Sequence, residues 1–281
     1  METHLEEIRN QQRESWNKFS PGWKKWDKLL MDFLKPVGDE IIRLINPKET
    51  DIILDIAAGT GEPGLTIASK SNGCKVIITD LSEEMLEIAR ENAKLRNIAN
   101  IETHHCDVCE LPFQDNTFDN ISCRFGFMFF PDMSLAVNEM IRVLKPFGKI
   151  AAAVWYVPQK NFWVTAIMDT IRNNIDFPQP PPGAPGMFRC SKDGLMKELF
   201  NQAGLKNVTQ HEVKGKLRCN TAEVYWKMMT DVGAPIVAIL NKTDEVLKEK
   251  IINEVFQAVN DKFSDGNVII ESSALVICGE K

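Results

Sequence analysis

The chain has 281 residues, 44% of them hydrophobic, and a formal net charge of −6. This length is sufficient for one large domain or for a core with sizeable insertions. The acidic balance argues against a nucleic-acid partner, which would require a basic face.

No apolar run approaches the length that a membrane-spanning helix requires, and the amino terminus lacks the basic and apolar regions of a signal peptide. The seven cysteines are an odd number without the spacing of a disulfide framework. These features predict a cytoplasmic protein without a transmembrane segment.

Residues 1–47 are predicted to form a helical lid. Their aromatic and apolar side chains recur at heptad-like intervals, at Trp16, Phe19, Trp23, Trp26 and Leu30. Ser20-Pro21-Gly22 interrupts this stripe, which predicts two short helices in place of one long one.

Residues 48–155 alternate between apolar strands and amphipathic helices, which predicts a layered α/β core. Ser82 is a good helix cap and is followed by early acidic residues, so a helix is expected from Glu83 to Leu95. The remaining predicted elements are strands at 52–56, up to Asp80, 101–105, 119–125 and 149–155, with helices from about Pro63 and at 135–144.

Beyond residue 155 the regular alternation stops. Residues 156–190 are predicted to be a loop and helix insertion, with an extended proline-rich loop at 177–186. Residues 191–215 should return to the core as a helix capped by Ser191 and a sixth strand, 208–213. A helical lid is expected at 216–266 and a closing strand at 267–281. Both insertions should lie over the carboxyl ends of the strands, where open α/β sheets bind ligands.

A glycine-rich turn follows the first strand. Gly59, Gly61 and Gly64 match the dinucleotide-binding spacing, and Asp80, at the end of the next strand, can accept ribose hydroxyls. Two nucleoside ligands fit this pattern. Asp55 at the mouth of the loop would repel the pyrophosphate of NAD, whereas it would attract the ammonium and sulfonium of S-adenosylmethionine. The charge therefore favours S-adenosylmethionine and leaves an NAD-dependent dehydrogenase as a remote alternative.

The segment 51–64 resembles motif I of the class I S-adenosylmethionine-dependent methyltransferases, and further motifs follow in order. Asp107 in the stretch 105–112 resembles the acidic residue after the third strand, and 118–125 resembles the fourth strand. The turn 142–148 resembles the family's approach to the fifth strand, although Phe147 stands where glycine is usual. The chain is most similar to the small-molecule branch around the ubiquinone and menaquinone C-methyltransferases.

This resemblance implies a Rossmann-like sheet of seven mostly parallel strands with the last strand antiparallel, helices on both faces and helical lid insertions. It implies S-adenosylmethionine as cofactor and S-adenosylhomocysteine as product. Asp55 would hold the methionine end, Asp80 the ribose and Asp107 the adenine amino group. The implied cofactor-binding residues are Asp55, Ala57, Gly59, Gly61, Asp80, Leu81, Met85, Asp107, Val108, Arg124 and Phe125, the last two beside the transferring methyl.

The predicted function is methyl transfer to a small, partly apolar metabolite by in-line displacement. The alternative is a protein that binds the cofactor without transferring methyl, as a regulator or a non-redox catalyst. Both need the same nucleoside site. The sequence leaves open which metabolite accepts the methyl, whether carbon, oxygen or nitrogen receives it, and the oligomeric state.

Two candidates for a general base are Tyr156 and His211. Candidates for contact with the acceptor are Trp16, Phe19, Trp155, Tyr156 and Phe162. Tyr156 and Lys160 have the spacing of a dehydrogenase pair, but Pro158 breaks the helix that such a pair needs. No metal site is predicted, because the histidines and cysteines of 104–109 alternate between the two faces of a strand.

Overall fold

The computed structural model describes residues 2–71, 73–177, 181 and 183–281. Within the predicted proline-rich loop, residues 178–180 and 182 lie outside the described residues.

The core is one sheet of seven strands in the order β3-β2-β1-β4-β5-β7-β6. β7 is antiparallel to β5 and β6, and the other neighbouring pairs are parallel. The strands are β1 Ile52–Ile56, β2 Lys75–Asp80, β3 Ile101–His105, β4 Phe118–Arg124, β5 Leu144–Trp155, β6 Lys206–Asn220 and β7 Val268–Glu280. The predicted fold class is confirmed.

Helices flank this sheet, and the central strands are buried on both faces. Ile53 and Leu54, which point to opposite faces of β1, are both fully buried. The helices are α1 Glu2–Lys25, α2 Asp27–Ile45, α3 Gly64–Lys70, α4 Glu83–Leu95, α5 Met133–Val143, α6 Phe162–Asn174, α7 Leu195–Gln202, α8 Ala222–Val232, α9 Ala234–Leu240 and α10 Glu245–Lys262.

Helix α4 has the predicted bounds. The Ser82 hydroxyl accepts the backbone N–H of Met85 at 3.1 Å, so the predicted cap is present. Glu83 and Glu84 follow in the first turn, where the partial positive charge of the helix end favours carboxylates. Local chemistry alone is sufficient to define this helix.

The predicted break at residues 20–22 is wrong, because α1 continues through Pro21 to Lys25. Proline lacks an N–H, so it leaves the carbonyl oxygen of Asn17 without its helical partner. The Ser20 hydroxyl donates to that oxygen at 2.9 Å and replaces the lost hydrogen bond. The chain separates into two helices at Trp26 instead.

The predicted cap at Ser191 is also wrong. Helix α7 begins at Leu195, after Gly194 in the left-handed conformation with φ 77° and without a side-chain cap. The sixth strand is longer than predicted, because β6 pairs with β7 as far as Asn220 opposite Val268. Residues 216–220 are therefore part of the sheet. Among the described residues, no helix combines the length and apolar character needed to cross a membrane.

Candidate functional site

The order of the strands reverses between β1 and β4, and ligands of open α/β sheets bind at such a point. Ala57 follows β1 with φ 53°, and Phe125 follows β4 with φ 64°. A left-handed backbone costs a non-glycine residue about 1–2 kcal/mol, and strained residues of this kind cluster at functional sites. A Cβ atom added at Gly126 would lie 2.8 Å from Cβ of Ala57, so the two turns are packed closely.

The glycine loop combines one tightly packed and one open glycine. A Cβ atom added at Gly61, where φ is 108°, would lie 2.7 Å from Cδ1 of Leu65. At Gly59, where φ is 56°, such an atom would have no neighbour within 4 Å. The backbone of Gly59 therefore borders open space, where a ligand can approach closely.

Asp80 ends β2 and holds the glycine loop. Its Oδ2 accepts the N–H of Gly59 at 2.8 Å, and its Oδ1 accepts the N–H of Ser82 at 2.9 Å. Burial raises the pKa of this carboxyl group, although the two N–H donors oppose the shift. Each oxygen has a second lone pair, so the carboxylate can still accept ribose hydroxyls.

Asp55 supports the loop from beneath. It is fully buried, its Oδ2 accepts the N–H of Gly64 at 2.7 Å, and its Oδ1 accepts the hydroxyl of Ser122 at 2.6 Å. Burial raises the pKa of Asp55 to about 7, against the effect of these two donors. The predicted contact with the methionine end of the cofactor stays a prediction, and the structure adds a supporting role within the protein. Both oxygens are engaged within the protein, at the start of α3.

Asp107, which follows β3, is held by two groups. Its Oδ1 accepts the N–H of Cys109 at 2.9 Å, and its Oδ2 forms an ion pair with Nε of Arg9 from α1. The Asp107 side chain is 11% exposed. Around it, Leu81 is half-buried, while Met85 and Val108 are buried.

Arg124 ends β4 at the predicted edge, but its side chain packs against α2. Its Nη2 is 3.3 Å from Sδ of Met31, and it lines a groove of about 120 Å³ between α2 and α3, with Glu62 and Pro63. Burial lowers the pKa of this guanidinium, although Glu62 and Asp55 oppose the shift. The predicted place of Arg124 beside the transferring methyl stays a prediction, and in this structure the side chain contacts Met31 of α2.

Aromatic side chains cover the carboxyl ends of β4 and β5. The ring of Phe125 is stacked on Trp155, with centroids 4.1 Å apart. From α1, Trp16 meets Phe129 edge to face at 5.2 Å and Trp23 at 6.0 Å. The part of the sheet edge at the carboxyl ends of β4 and β5, beside the glycine loop, is therefore apolar and aromatic.

Comparison with known proteins points to the same region. A family model described as a methyltransferase domain matches residues 53–148. The ubiquinone/menaquinone biosynthesis C-methyltransferase UbiE of Rickettsia prowazekii (strain Madrid E) is 38% identical over 144 residues, which are 47% of this chain and 57% of that protein. Residues 53–148 are therefore similar to a methyltransferase domain.

Two further comparisons extend beyond these matched residues. The demethylmenaquinone methyltransferase of Bacillus subtilis (strain 168) is 28% identical over 67% of this chain and 84% of its own length. A crystal structure of a putative methyltransferase from Bacillus halodurans has a TM-score of 0.57, with 18% identity, and covers 87% of this chain and 98% of that one. The second likeness shows the fold. The chain spans little more than half of the first relative's length.

Within the matched residues 53–148, the structure brings together several of the predicted site residues. Those that meet at the ends of β1, β2, β3 and β4 are Ala57, Gly59, Asp80, Leu81, Asp107, Val108 and Phe125. Gly61 and Met85 contribute through packing, since both are buried in the layer beneath.

Other predicted residues lie outside this group. His211 is exposed on the edge strand β6, separated from β4 by β5 and β7. Phe162 packs against Phe263, the residue just after α10, at 6.4 Å. Tyr156 is half-buried beneath Lys160, whose Nζ is 4.6 Å from the ring centroid and which pairs with Glu212. All three side chains therefore lie near β6 or near the end of α10.

Sequence reasoning missed several residues that the structure adds. Phe129 belongs to an aromatic run just after β4, and that run was a usable signal. Ser122 and Arg9 carry no such signal, because their partners, Asp55 and Asp107, are distant in the chain. Among the described residues, no group of three His, Cys, Asp or Glu side chains is arranged to hold a metal ion.

Proposed function

We propose that this protein transfers a methyl group from S-adenosylmethionine to a small, partly apolar acceptor. The observation that carries the proposal is the open glycine loop at Gly59, tied to the carboxylate of Asp80 at the reversal of the sheet. Similarity to the C-methyltransferases supports the same reaction.

The residues of the site fit the cofactor. The left-handed backbone of Gly59 borders open space where the methionine end would lie, and Asp80 has free lone pairs for the ribose. Thr60 Oγ1, in the middle of the loop, is buried without a hydrogen-bond partner and can take one from a ligand. Asp107 supplies the acceptor for an adenine amino group once its contact with Arg9 is released.

When bound, S-adenosylmethionine supplies a methyl group that its sulfonium already activates. The protein's part is to orient the acceptor and exclude water. The rings of Trp16, Phe125 and Phe129 form an apolar wall that would hold a flat molecule in line and keep the site dry. Tyr156 and His211 remain proposals as proton acceptors, and neither is directed at this wall.

For the acceptor we propose an oxygen-substituted ring of the quinol type. The named activities of the two relatives support this choice, as does the aromatic surface formed by Trp16 and Phe129. Aromatic rings favour offset or edge-to-face contacts with a planar substrate.

The test begins with calorimetric titration of S-adenosylhomocysteine and, separately, NADH. Turnover then uses methyl-labelled S-adenosylmethionine with a panel of quinols, phenols, amines and carboxylic acids. We expect binding of S-adenosylhomocysteine and a labelled product from the quinols, with one S-adenosylhomocysteine released for each methyl transferred.

The alternatives give distinct results. Tight binding of S-adenosylhomocysteine with no labelled product from any acceptor would favour a protein that binds the cofactor without methyl transfer. Binding of NADH but not of S-adenosylhomocysteine would favour a dehydrogenase. A labelled amine or carboxylate in place of a quinol would leave methyl transfer intact and overturn the acceptor class.

A further inference from the structure

Helix α1 crosses the ligand edge of the sheet, contacts that edge at two points and contacts α8 at a third. Near its start, Arg9 meets Asp107 after β3. In the middle, Trp16 meets Phe129 after β4. Near its end, Gly22 packs against the backbone of Asp231 in α8. Because α1 is uninterrupted from Glu2 to Lys25, these contacts belong to one continuous element.

The contact at Arg9 closes the place where the adenine amino group would bind. Asp107 Oδ2 and Arg9 Nε are both inaccessible to solvent, and neither has a hydrogen bond of good geometry. The two atoms form an ion pair, but Asp107 Oδ2 accepts no hydrogen bond and Arg9 Nε donates none. A ligand N–H donor that aligns with Oδ2 can therefore compete with Arg9, but it can reach that oxygen only if Arg9 moves.

We propose that the Arg9–Asp107 ion pair is a latch that holds α1 over the cofactor site, and that the adenine of the cofactor displaces Arg9 from Asp107. The inference rests on the proposed function. It makes α1 a cover that competes with the cofactor, and it makes cofactor affinity depend on the strength of one ion pair.

The latch also connects the two halves of the site. Trp16 lies two turns after Arg9 on the same helix, so release at Asp107 changes the position of the ring that covers Phe129. Cofactor binding would thus adjust the aromatic wall before the acceptor enters. The cofactor would therefore bind before the acceptor.

The experiment measures the affinity of S-adenosylhomocysteine at low and at high ionic strength. Its amino-acid part is a zwitterion, so salt acts mainly on the protein's ion pair. For the wild-type protein we expect binding only slightly tighter at high salt, because the paired atoms are inaccessible to solvent and salt screens such a pair weakly. For Arg9→Gln we expect binding roughly three- to tenfold tighter than wild type at low salt, as for loss of a partly exposed competing ion pair, with little dependence on salt.

A matched control removes the same charge one turn further along the helix. Arg13 bonds to Asn10 within α1 at 2.9 Å, so Arg13→Gln should bind as the wild type does at both salt concentrations. Hydrogen exchange gives a second readout. In the wild-type protein, the amides of residues 4–13 should exchange faster when S-adenosylhomocysteine is added. In Arg9→Gln, the same amides should exchange fast even without S-adenosylhomocysteine.

The outcomes separate the latch from the proposed function. Equal affinity of wild type and Arg9→Gln at both salt concentrations, with unchanged exchange in α1, would overturn the latch and leave cofactor binding intact. Failure of the wild-type protein and both variants to bind S-adenosylhomocysteine would overturn the proposed function and the latch with it.

Discussion

The carboxylate of Asp80 accepts the backbone N–H of Gly59 at 2.8 Å and so joins the end of β2 to the loop after β1. One side chain therefore both shapes the glycine loop and presents acceptors for a ribose. Loss of the Asp80 side chain should therefore weaken ligand binding and alter the glycine loop at the same time.

The first prediction concerns this residue. Asp80→Asn removes the charge and one acceptor oxygen, so affinity for S-adenosylhomocysteine should fall by about 1.5–3 kcal/mol, the cost of a charge-assisted hydrogen bond. Titration calorimetry checks the value. Glu83→Gln is the control, because Glu83 pairs with Arg90 on α4 away from the loop and should leave affinity unchanged. An Asp80→Asn titration identical to wild type would remove the ribose role.

The second prediction concerns pH. The folded pKa of Asp55 is raised by burial to about 7 from an ordinary value of 3.8, so the folded state binds a proton that the unfolded state has released. Stability from this group is complete below the unfolded pKa and is lost as pH rises toward 7. We expect the wild-type free energy of unfolding to fall between pH 5 and pH 8 relative to Asp55→Asn, by a few kcal/mol.

Denaturant titrations of both proteins at the two pH values measure that difference. Asparagine can accept from Gly64 and donate to Ser122, so the fold should be retained. The same variant separates support from direct contact. If Asp55 only supports the loop, Asp55→Asn should bind S-adenosylhomocysteine nearly as well as wild type. A loss of affinity as large as that of Asp80→Asn would show direct contact with the ligand.

The third prediction contrasts two glycines within helices. A Cβ atom at Gly22 would lie 2.0 Å from the backbone oxygen of Asp231, so Gly22→Ala should separate α1 from α8 and destabilise the protein by about 1–3 kcal/mol. At Gly38 the nearest atoms would be 3.7 Å away, an ordinary contact. Gly38→Ala should therefore stabilise by about 0.5–1 kcal/mol, as expected for alanine in a helix. Thermal unfolding compares the two, and shifts of the same sign would contradict the packing at Asp231.

The fourth prediction concerns Phe147, which occupies the position where the resembled family usually has glycine. It is 82% exposed and has φ 66°, so its ring stabilises little while its backbone is strained. Phe147→Gly should raise the free energy of unfolding by about 1 kcal/mol. Phe147→Ala keeps the strain and should change stability little. An equal gain in both variants would assign the effect to the exposed ring instead.

Sequence reasoning succeeded where the determining interactions are local. The bounds of α4 follow from the Ser82 cap and from apolar spacing within thirteen residues. Strand β1 is a short apolar run, and the glycine loop follows it directly. The cofactor edge could be placed from such signals because the carboxyl ends of parallel strands meet at the same edge of the sheet.

It failed where a distant partner or a small compensating bond decides the outcome. Pro21 signals a break, but a single hydroxyl of Ser20 compensates for the missing N–H. The second half of β6 is stabilised by β7, which lies some fifty residues further along the chain. The ion pair of Arg9 with Asp107 joins residues almost a hundred positions apart, and no local pattern records it.

The pairing of Asn220 with Val268 joins the two ends of a helical segment. The chain leaves the sheet and returns to it at neighbouring points, and the three helices α8, α9 and α10 lie between them. The segment that carries these helices is therefore connected to the sheet at both ends by the paired strands β6 and β7. Its helices still pack on the rest of the protein, since Asp231 of α8 contacts Gly22 of α1, so an exchanged segment would have to keep that contact while β1, β2 and β3 need not change.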